Sequence, residues 1–224
     1  MEVDLAGRLR AETRVLHAQV ERSPFVARLL AGQTDRAAYC LLLRNLHPIY
    51  LALEEGAARL SDSASIAQLF APGLARLAAL EADLDFLAGP DWRQSLRVLP
   101  AAAAYGHRLN GLGPARAHLL AAHAYVRYLG DMAGGQQLRG IVARSLHLPV
   151  SEGTAFYAFG APDDVRRQVQ AFRQGLNRCA AGPGEAQDIV DEARLSFEMH
   201  HALFTELEAA RTEPGSGAEG AATR

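Results

Sequence analysis

The chain has 224 residues, a formal net charge of −2, and is 49% hydrophobic but only 7% aromatic. That length allows one well-packed domain. The near-neutral charge argues against a nucleic-acid partner, and no run approaches the roughly 20 apolar residues of a spanning helix, which argues against a membrane. Ala and Leu dominate the apolar set while β-branched residues are sparse, so helices are expected over strands. Cys40 and Cys179 lie far apart with no CxxC spacing, and Met1-Glu2-Val3-Asp4 opens no basic or apolar leader. The chain therefore reads as cytoplasmic.

Leu5, Leu9, Leu16 and Val20 fall at helical spacing, predicting an amphipathic helix that ends near Ser23-Pro24. Ser23 is the expected N-cap of a short second helix with Pro24 at its first position, closed by Gly32. Thr34 is the expected cap of a long third helix through Arg59, which Pro48 should kink or break. Ser61-Asp62-Ser63-Ala64-Ser65 reads as a loop. Helices follow from about Gly73 to Leu87 and from Pro100 to Leu109. One long helical pattern interrupted by four glycines runs from Pro114 to Leu146. Two more span about Asp163–Cys179 and Gly184–Arg211, and the Gly/Ala/Ser/Glu tail from Thr212 reads as disordered. The fold class is an all-α, single-domain bundle over residues 1–211.

Arg10, Arg14, His17 and Glu21 stand at i, i+4, i+7 and i+11, on one stripe beside the apolar face of the first helix. A neutral imidazole is a common axial ligand of haem iron. Two guanidiniums one and two turns earlier suit the carboxylates of a macrocycle, and Glu21 is placed to accept a hydrogen bond from the other ring nitrogen and orient the ligand. On spacing alone, the plainer reading of this stripe is a solvated Arg–His–Glu face.

Gly130, Gly134, Gly135 and Gly140 interrupt a strongly helical segment, each costing roughly 1 kcal/mol relative to Ala. Such a concentration suggests a need for bare backbone, with Gly130 and Gly134 sharing a face and the helix free to kink. Asp131 lies inside this turn, where a carboxylate beside a flat apolar surface anchors water and relays protons. Tight helix–helix packing explains the same glycines equally well.

Two strings together resemble the haem oxygenase family: Leu9-Arg10-Ala11-Glu12-Thr13-Arg14-Val15-Leu16-His17 and, more specifically, Ala122-His123-Ala124-Tyr125-Val126-Arg127-Tyr128-Leu129-Gly130-Asp131-Met132-Ala133-Gly134-Gly135-Gln136. The resemblance continues through Ile49–Glu55, Phe156–Phe159 and Arg194–Leu207 and covers most of the chain. It implies haem b, both substrate and cofactor, held between a proximal and a distal helix. His17 would ligate the iron, and Gly130, Gly134 and Gly135 would form the distal backbone. Asp131 would organise distal water, with Tyr50 and Arg127 in the same network. Arg10, Arg14 and Arg173 would lie near the propionates, with Arg167 a further basic candidate. Tyr125 belongs to the haem-binding signature and Phe197 to the pocket wall. The implied reaction cleaves haem with O₂ and an external electron donor of ferredoxin, flavodoxin or reductase type, giving biliverdin, carbon monoxide and ferrous iron.

The chain departs from the family pattern at two points. Ala133 stands where Ser is frequent, and Val169 where a basic residue is expected, a change in the propionate anchoring that sets the haem's in-plane seating and the cleaved meso carbon. No hydrophobic C-terminal anchor is visible, as in soluble bacterial-type members. Three other readings compete. A non-catalytic haem carrier has no need of Asp131. A di-iron bundle needs two Glu-x-x-His pairs, whereas only Glu198–His201 supplies one. A thiaminase-type enzyme of the same fold needs a reactive cysteine, but Cys40 and Cys179 both sit in ordinary amphipathic patterns.

Overall fold

The computed structural model describes residues 4–67, 69–70, 73–149 and 152–212, and the regular structure among them is helical. Eleven α-helices are assigned: α1 (Leu5–Glu21), α2 (Pro24–Leu30), α3 (Arg36–Arg59), α4 (Ala64–Ala67), α5 (Leu77–Ala88), α6 (Trp92–Ser95), α7 (Pro100–Asn110), α8 (Leu120–Ala124), α9 (Gly130–Ser145), α10 (Pro162–Asn177) and α11 (Pro183–Thr212). Most of the expected tail lies outside the described residues, although Thr212 still belongs to α11. Among the described residues no helix is long and apolar enough to cross a membrane.

Central to the bundle is α3, packed on α5 and α7, while α1 lies along α11 and α11 also meets α2, α7 and α8. Leu43, Ile49 and Leu53 of α3 and Ile189, Leu203 and Leu207 of α11 are fully buried. Each such side chain stabilises the fold by about 1.5–3 kcal/mol.

Several local expectations change. Asp35, not Thr34, caps α3, because its carboxylate sits three residues before Ala38 and accepts that amide at 2.8 Å. Ser23 stands at the start of α2, but its hydroxyl donates back to the Val20 carbonyl at 2.7 Å and so closes α1 instead. Pro48 does not end α3. Its missing N–H forfeits one ladder bond, yet α7 packs so closely there that a Cβ on Gly106 would come within 3.2 Å of the Pro48 carbonyl oxygen. The segment from Ser61 to Ser65 is not all loop, since α4 opens at Ala64. Gly73 has φ +97° and cannot open α5 as a regular helical residue. That helix begins instead where Glu54 of α3 accepts the Arg76 amide at 2.6 Å and the Leu77 amide at 3.0 Å.

The largest change concerns the segment from Pro114 to Leu146. It divides into a 3₁₀ turn (Pro114–Leu119), α8, a π turn (Tyr125–Leu129) and α9. Within the 3₁₀ turn, Arg116 leaves helical geometry at φ −126° and ψ 26°. The departure expected at the glycines therefore falls one turn earlier, on Tyr125–Leu129. Widening a helix by one residue re-aims the side chains that follow.

Candidate active site

A cavity of about 700 Å³ opens between α1 and the junction of the π turn with α9. Arg10, Thr13, Arg14 and His17 line it from α1, and Tyr125, Val126, Leu129, Gly130 and Ala133 from the opposite wall. Asp4, Ala6 and Gly7 at the start of the first helix, Arg173 and Asn177 of α10 and Phe197 of α11 complete the lining. The first helix presents this stripe because Leu5 and Leu9 are turned into the core. Its seat is fixed by the Ala6 amide donating to Asn177 Oδ1 at 2.9 Å and by Arg194 donating to Glu12 at 2.5 Å.

His17 keeps 54% of its side chain exposed and meets Phe197 edge-on, with ring centroids 5.8 Å apart. Glu21 faces its Nδ1 at 3.6 Å, within ion-pair range but longer than a hydrogen bond. The Tyr125 phenol lies 3.3 Å from the Thr13 hydroxyl, which itself donates to the Leu9 carbonyl at 2.7 Å. Burial pushes the Tyr125 phenol upward, against the Thr13 hydrogen bond and the nearby charges of Arg10 and Arg173. Those two cations, contributed by helices far apart in sequence, thus converge on one edge of the cavity.

Of the three glycines expected at the site, Gly130 lines the cavity, and a Cβ there would meet nothing within 4 Å. Bare backbone accordingly faces open space. Gly134 also has open space around it but is not part of the lining. Gly135 turns away, its Cβ position only 3.4 Å from a ring carbon of Tyr157. It serves packing, the alternative that the sequence left open. Arg167 is likewise away from the cavity, on the surface and ion-paired with Asp164. Both departures from the family pattern, Ala133 and Val169, line an adjoining groove that shares Arg173 and Asn177 with the cavity.

Asp131, Tyr50 and Arg127 are brought together, but not in the cavity lining. They are buried on the inner side of α9, one residue from the Gly130 wall. The Tyr50 hydroxyl donates to Asp131 Oδ2, Arg127 Nη2 donates to Asp131 Oδ1 at 2.9 Å, and Arg127 Nε donates to the Tyr50 oxygen at 3.1 Å. Burial pushes the Asp131 carboxyl upward, while these two donors favour the carboxylate.

Sequence reading missed what lies beyond. Arg127 Nη1 sits 3.2 Å from His200 Nε2, and His200 Nδ1 sits 2.8 Å from the Ser196 carbonyl. A carbonyl only accepts, so Nδ1 carries the proton and Nε2 accepts from the guanidinium. Burial and the Arg127 charge accordingly hold the His200 pKa well below its usual value. Further out, Tyr105 bonds the Ser196 hydroxyl at 2.5 Å and His123 Nδ1 at 3.1 Å. His123 Nε2 meets Glu192 at 2.8 Å, and Arg108 donates to both oxygens of that carboxylate. Glu192, Ser196 and His200 stand at i, i+4 and i+8 on α11, a polar stripe that was available as a signal. Neither cysteine offers a nucleophile, because burial pushes Cys40 up to about 11 and Cys179 to about 12.

Residues 3–206 match the family model described as Heme oxygenase. Heme oxygenase 1 of Synechocystis sp. is 38% identical over 93% of this chain and 86% of its own length. Heme oxygenase 1 of Homo sapiens is 38% identical over 93% of this chain and 73% of its own. Among solved structures, heme oxygenase-1 from Synechocystis sp. in complex with heme superposes with a TM-score of 0.85 at 37% identity, covering 93% of this chain and 94% of that one. The heme oxygenase of Leptospira interrogans gives 0.86 at 31% identity, covering 91% and 100%. Likeness in sequence and in helix arrangement thus extends over nearly the whole chain, from α1 to α11, and the chain belongs to the haem oxygenase family.

Proposed function

We propose that this protein is a haem oxygenase that cleaves haem b with O₂ and electrons to biliverdin, carbon monoxide and ferrous iron. The observation that carries the reading is the pairing of an imidazole and a bare glycine backbone across one cavity, with a buried carboxylate directly behind the glycine. His17 is the iron ligand in this reading. Glu21 faces Nδ1, so Nε2 is the nitrogen left for the metal. Arg10, Arg14 and Arg173 at the cavity edge suit the two propionates. Val126, Leu129, Ala133 and Phe197 supply apolar surface for the ring.

Haem supplies the iron that activates O₂ and the meso carbon that is attacked. The protein's own contribution is position and protons. Gly130 leaves room over the ring where a side chain would stand. Asp131 holds water at the distal face, and Tyr50 and Arg127 hold Asp131. The Arg127–His200–Tyr105 side of the network keeps those groups in one orientation, because each buried donor there has an acceptor. Electrons come from an external donor of ferredoxin, flavodoxin or reductase type. The reading places the enzyme in the cytoplasm, where its two buried thiols stay reduced.

Hemin added to the purified protein should give a one-to-one complex whose Soret band decays, with biliverdin appearing, once ascorbate or a reductase is supplied with O₂. A Soret band that persists under those conditions would instead identify a haem carrier, the reading that leaves the Asp131–Tyr50–Arg127 cluster without a purpose.

A further inference from the structure

Behind the distal helix, residues 154–160 form a strap that α5, α9 and α10 all hold. Asp83 of α5, only 1% exposed, accepts the Ala155 amide at 2.9 Å through Oδ1 and the Phe156 amide at 2.8 Å through Oδ2. Arg76 donates to the Ala158 carbonyl at 2.8 Å and lies over the Phe159 ring at 4.4 Å. Gln168 of α10 donates to the Phe159 carbonyl at 2.9 Å, and Gln136 of α9 to the Gly160 carbonyl at 3.1 Å.

The strap presents two rings to the distal site. Phe156 stands edge-on to Tyr50, with centroids 5.0 Å apart at 88°. Tyr157 fills the space beside Gly135, one turn after Asp131. One ring thus backs the residue that donates to Asp131, and the other backs the helix that carries it. A buried carboxylate is a costly way to anchor a loop, because it must be desolvated for the sake of two amide bonds. What it provides beyond a neutral acceptor is two strong acceptors at a fixed spacing, which pin successive amides at once.

We propose that Asp83 is a positioning residue for the distal site, fixing through Phe156 and Tyr157 where Tyr50 and the Gly130–Gly135 backbone hold Asp131. The inference rests on the assignment of Asp131 as the distal water-holding group. The groups that face Asp131 are Tyr50 from α3, Arg127 from the π turn and Tyr157 from the strap. All three are within reach of a displaced strap.

The test uses Asp83→Asn, which keeps the shape but turns an NH₂ toward one of the two amides, and Phe156→Leu, which leaves both amide bonds intact. Asp131→Asn is the benchmark. Three quantities are measured: amide exchange over residues 130–136 without haem, the pH midpoint of the visible spectrum of the ferric haem complex, and the ratio of biliverdin formed to added phenol oxidised. Asp83→Asn should speed exchange about tenfold and move the pH midpoint by about half a unit in the same direction as Asp131→Asn. Phe156→Leu should shift the midpoint likewise, and both should lower the product ratio. A fall in thermal stability with exchange, midpoint and ratio unchanged in both variants would overturn the proposal and leave Asp83 a purely structural anchor. If exchange rises in Asp83→Asn while Asp131→Asn leaves midpoint and ratio untouched, the positioning holds and the role given to Asp131 is what fails.

Discussion

Arg127 and Asp131 stand four residues apart across the junction of the π turn and α9, and their side chains close a 2.9 Å ion pair inside the protein. The remaining polar atoms of both are engaged, Asp131 Oδ2 by Tyr50 and Arg127 Nη1 by His200. Removing one partner of such a pair leaves an uncompensated buried charge, at a cost of about 3–5 kcal/mol. Asp131→Asn also removes the negative charge but keeps an acceptor for Arg127, so it is a cleaner probe than Asp131→Ala. It should leave haem affinity within about threefold, because Asp131 does not line the cavity. Biliverdin formation should fall by about 10²-fold, a usual worth for a positioned proton-handling group, while oxidation of an added phenol by peroxide rises. Spectrophotometric titration and product analysis check this, and normal turnover would sink the distal assignment.

His17→Ala removes the proposed iron ligand from an exposed helical position, so the fold should be unaffected. Turnover should be lost, the Soret spectrum should change, and added imidazole should restore part of both. A wild-type spectrum in the variant would point to another ligand.

Gly130 and Gly135 separate two meanings of glycine in one helix. Gly130→Val puts a side chain into open cavity, so the melting temperature should hold while haem binding weakens by about tenfold or more. Gly135→Ala places a methyl 3.4 Å from the Tyr157 ring, in ordinary contact, so neither stability nor haem binding should change by more than about 1 kcal/mol. Bulkier Gly135→Val should destabilise the protein without first weakening haem binding. Thermal melts and hemin titrations of the three variants tell these cases apart.

Stability of the haem-free protein should fall as pH drops below about 6.5, the histidine pKa of the unfolded chain. Burial lowers His123 against the pull of Glu192, and burial with the Arg127 charge lowers His200. Below pH 6.5 the unfolded chain therefore binds protons that the folded chain does not. Glu192 acts in the same direction at lower pH. Burial would raise its carboxyl, but hydrogen bonds from His123 and Arg108 prevail and hold it at about 2. Its contribution is complete above the unfolded carboxylate range and is lost as pH falls toward 2. Asp131 opposes the trend, since burial raises its carboxyl and acid relieves that cost. Urea unfolding at pH 7.5, 6.5 and 5.5 measures the slope. His200→Asn should flatten it, and an unchanged slope would mean that His200 is not held neutral in the fold.

What was legible in the sequence is what a single helix or a contiguous string decides. Arg10, Arg14 and His17 share a stripe because 3.6 residues per turn place them there wherever the helix goes. The string from Ala122 to Gln136 shows its glycines and its carboxylate without any partner. The polar stripe of Glu192, Ser196 and His200 was equally visible but reads as a solvent face until other helices cover it. In the fold, Tyr105, His123 and Arg127 meet it from α7, α8 and the π turn.

Residue order is enough for an all-helical chain with one imidazole–arginine stripe and one glycine-rich turn around Asp131. Which face of each helix those residues serve depends on how the helices dock. Arg167 and Arg173 lie six residues apart on α10, about 120° around its axis, and the docking of that helix alone sends Arg173 to the cavity and Arg167 to solvent. The same holds for Gly130, which meets the cavity, and Gly135, which meets Tyr157. Periodicity sets side-chain directions relative to a helix axis, whereas the rotation of that axis in the bundle is set by all the surfaces it buries at once.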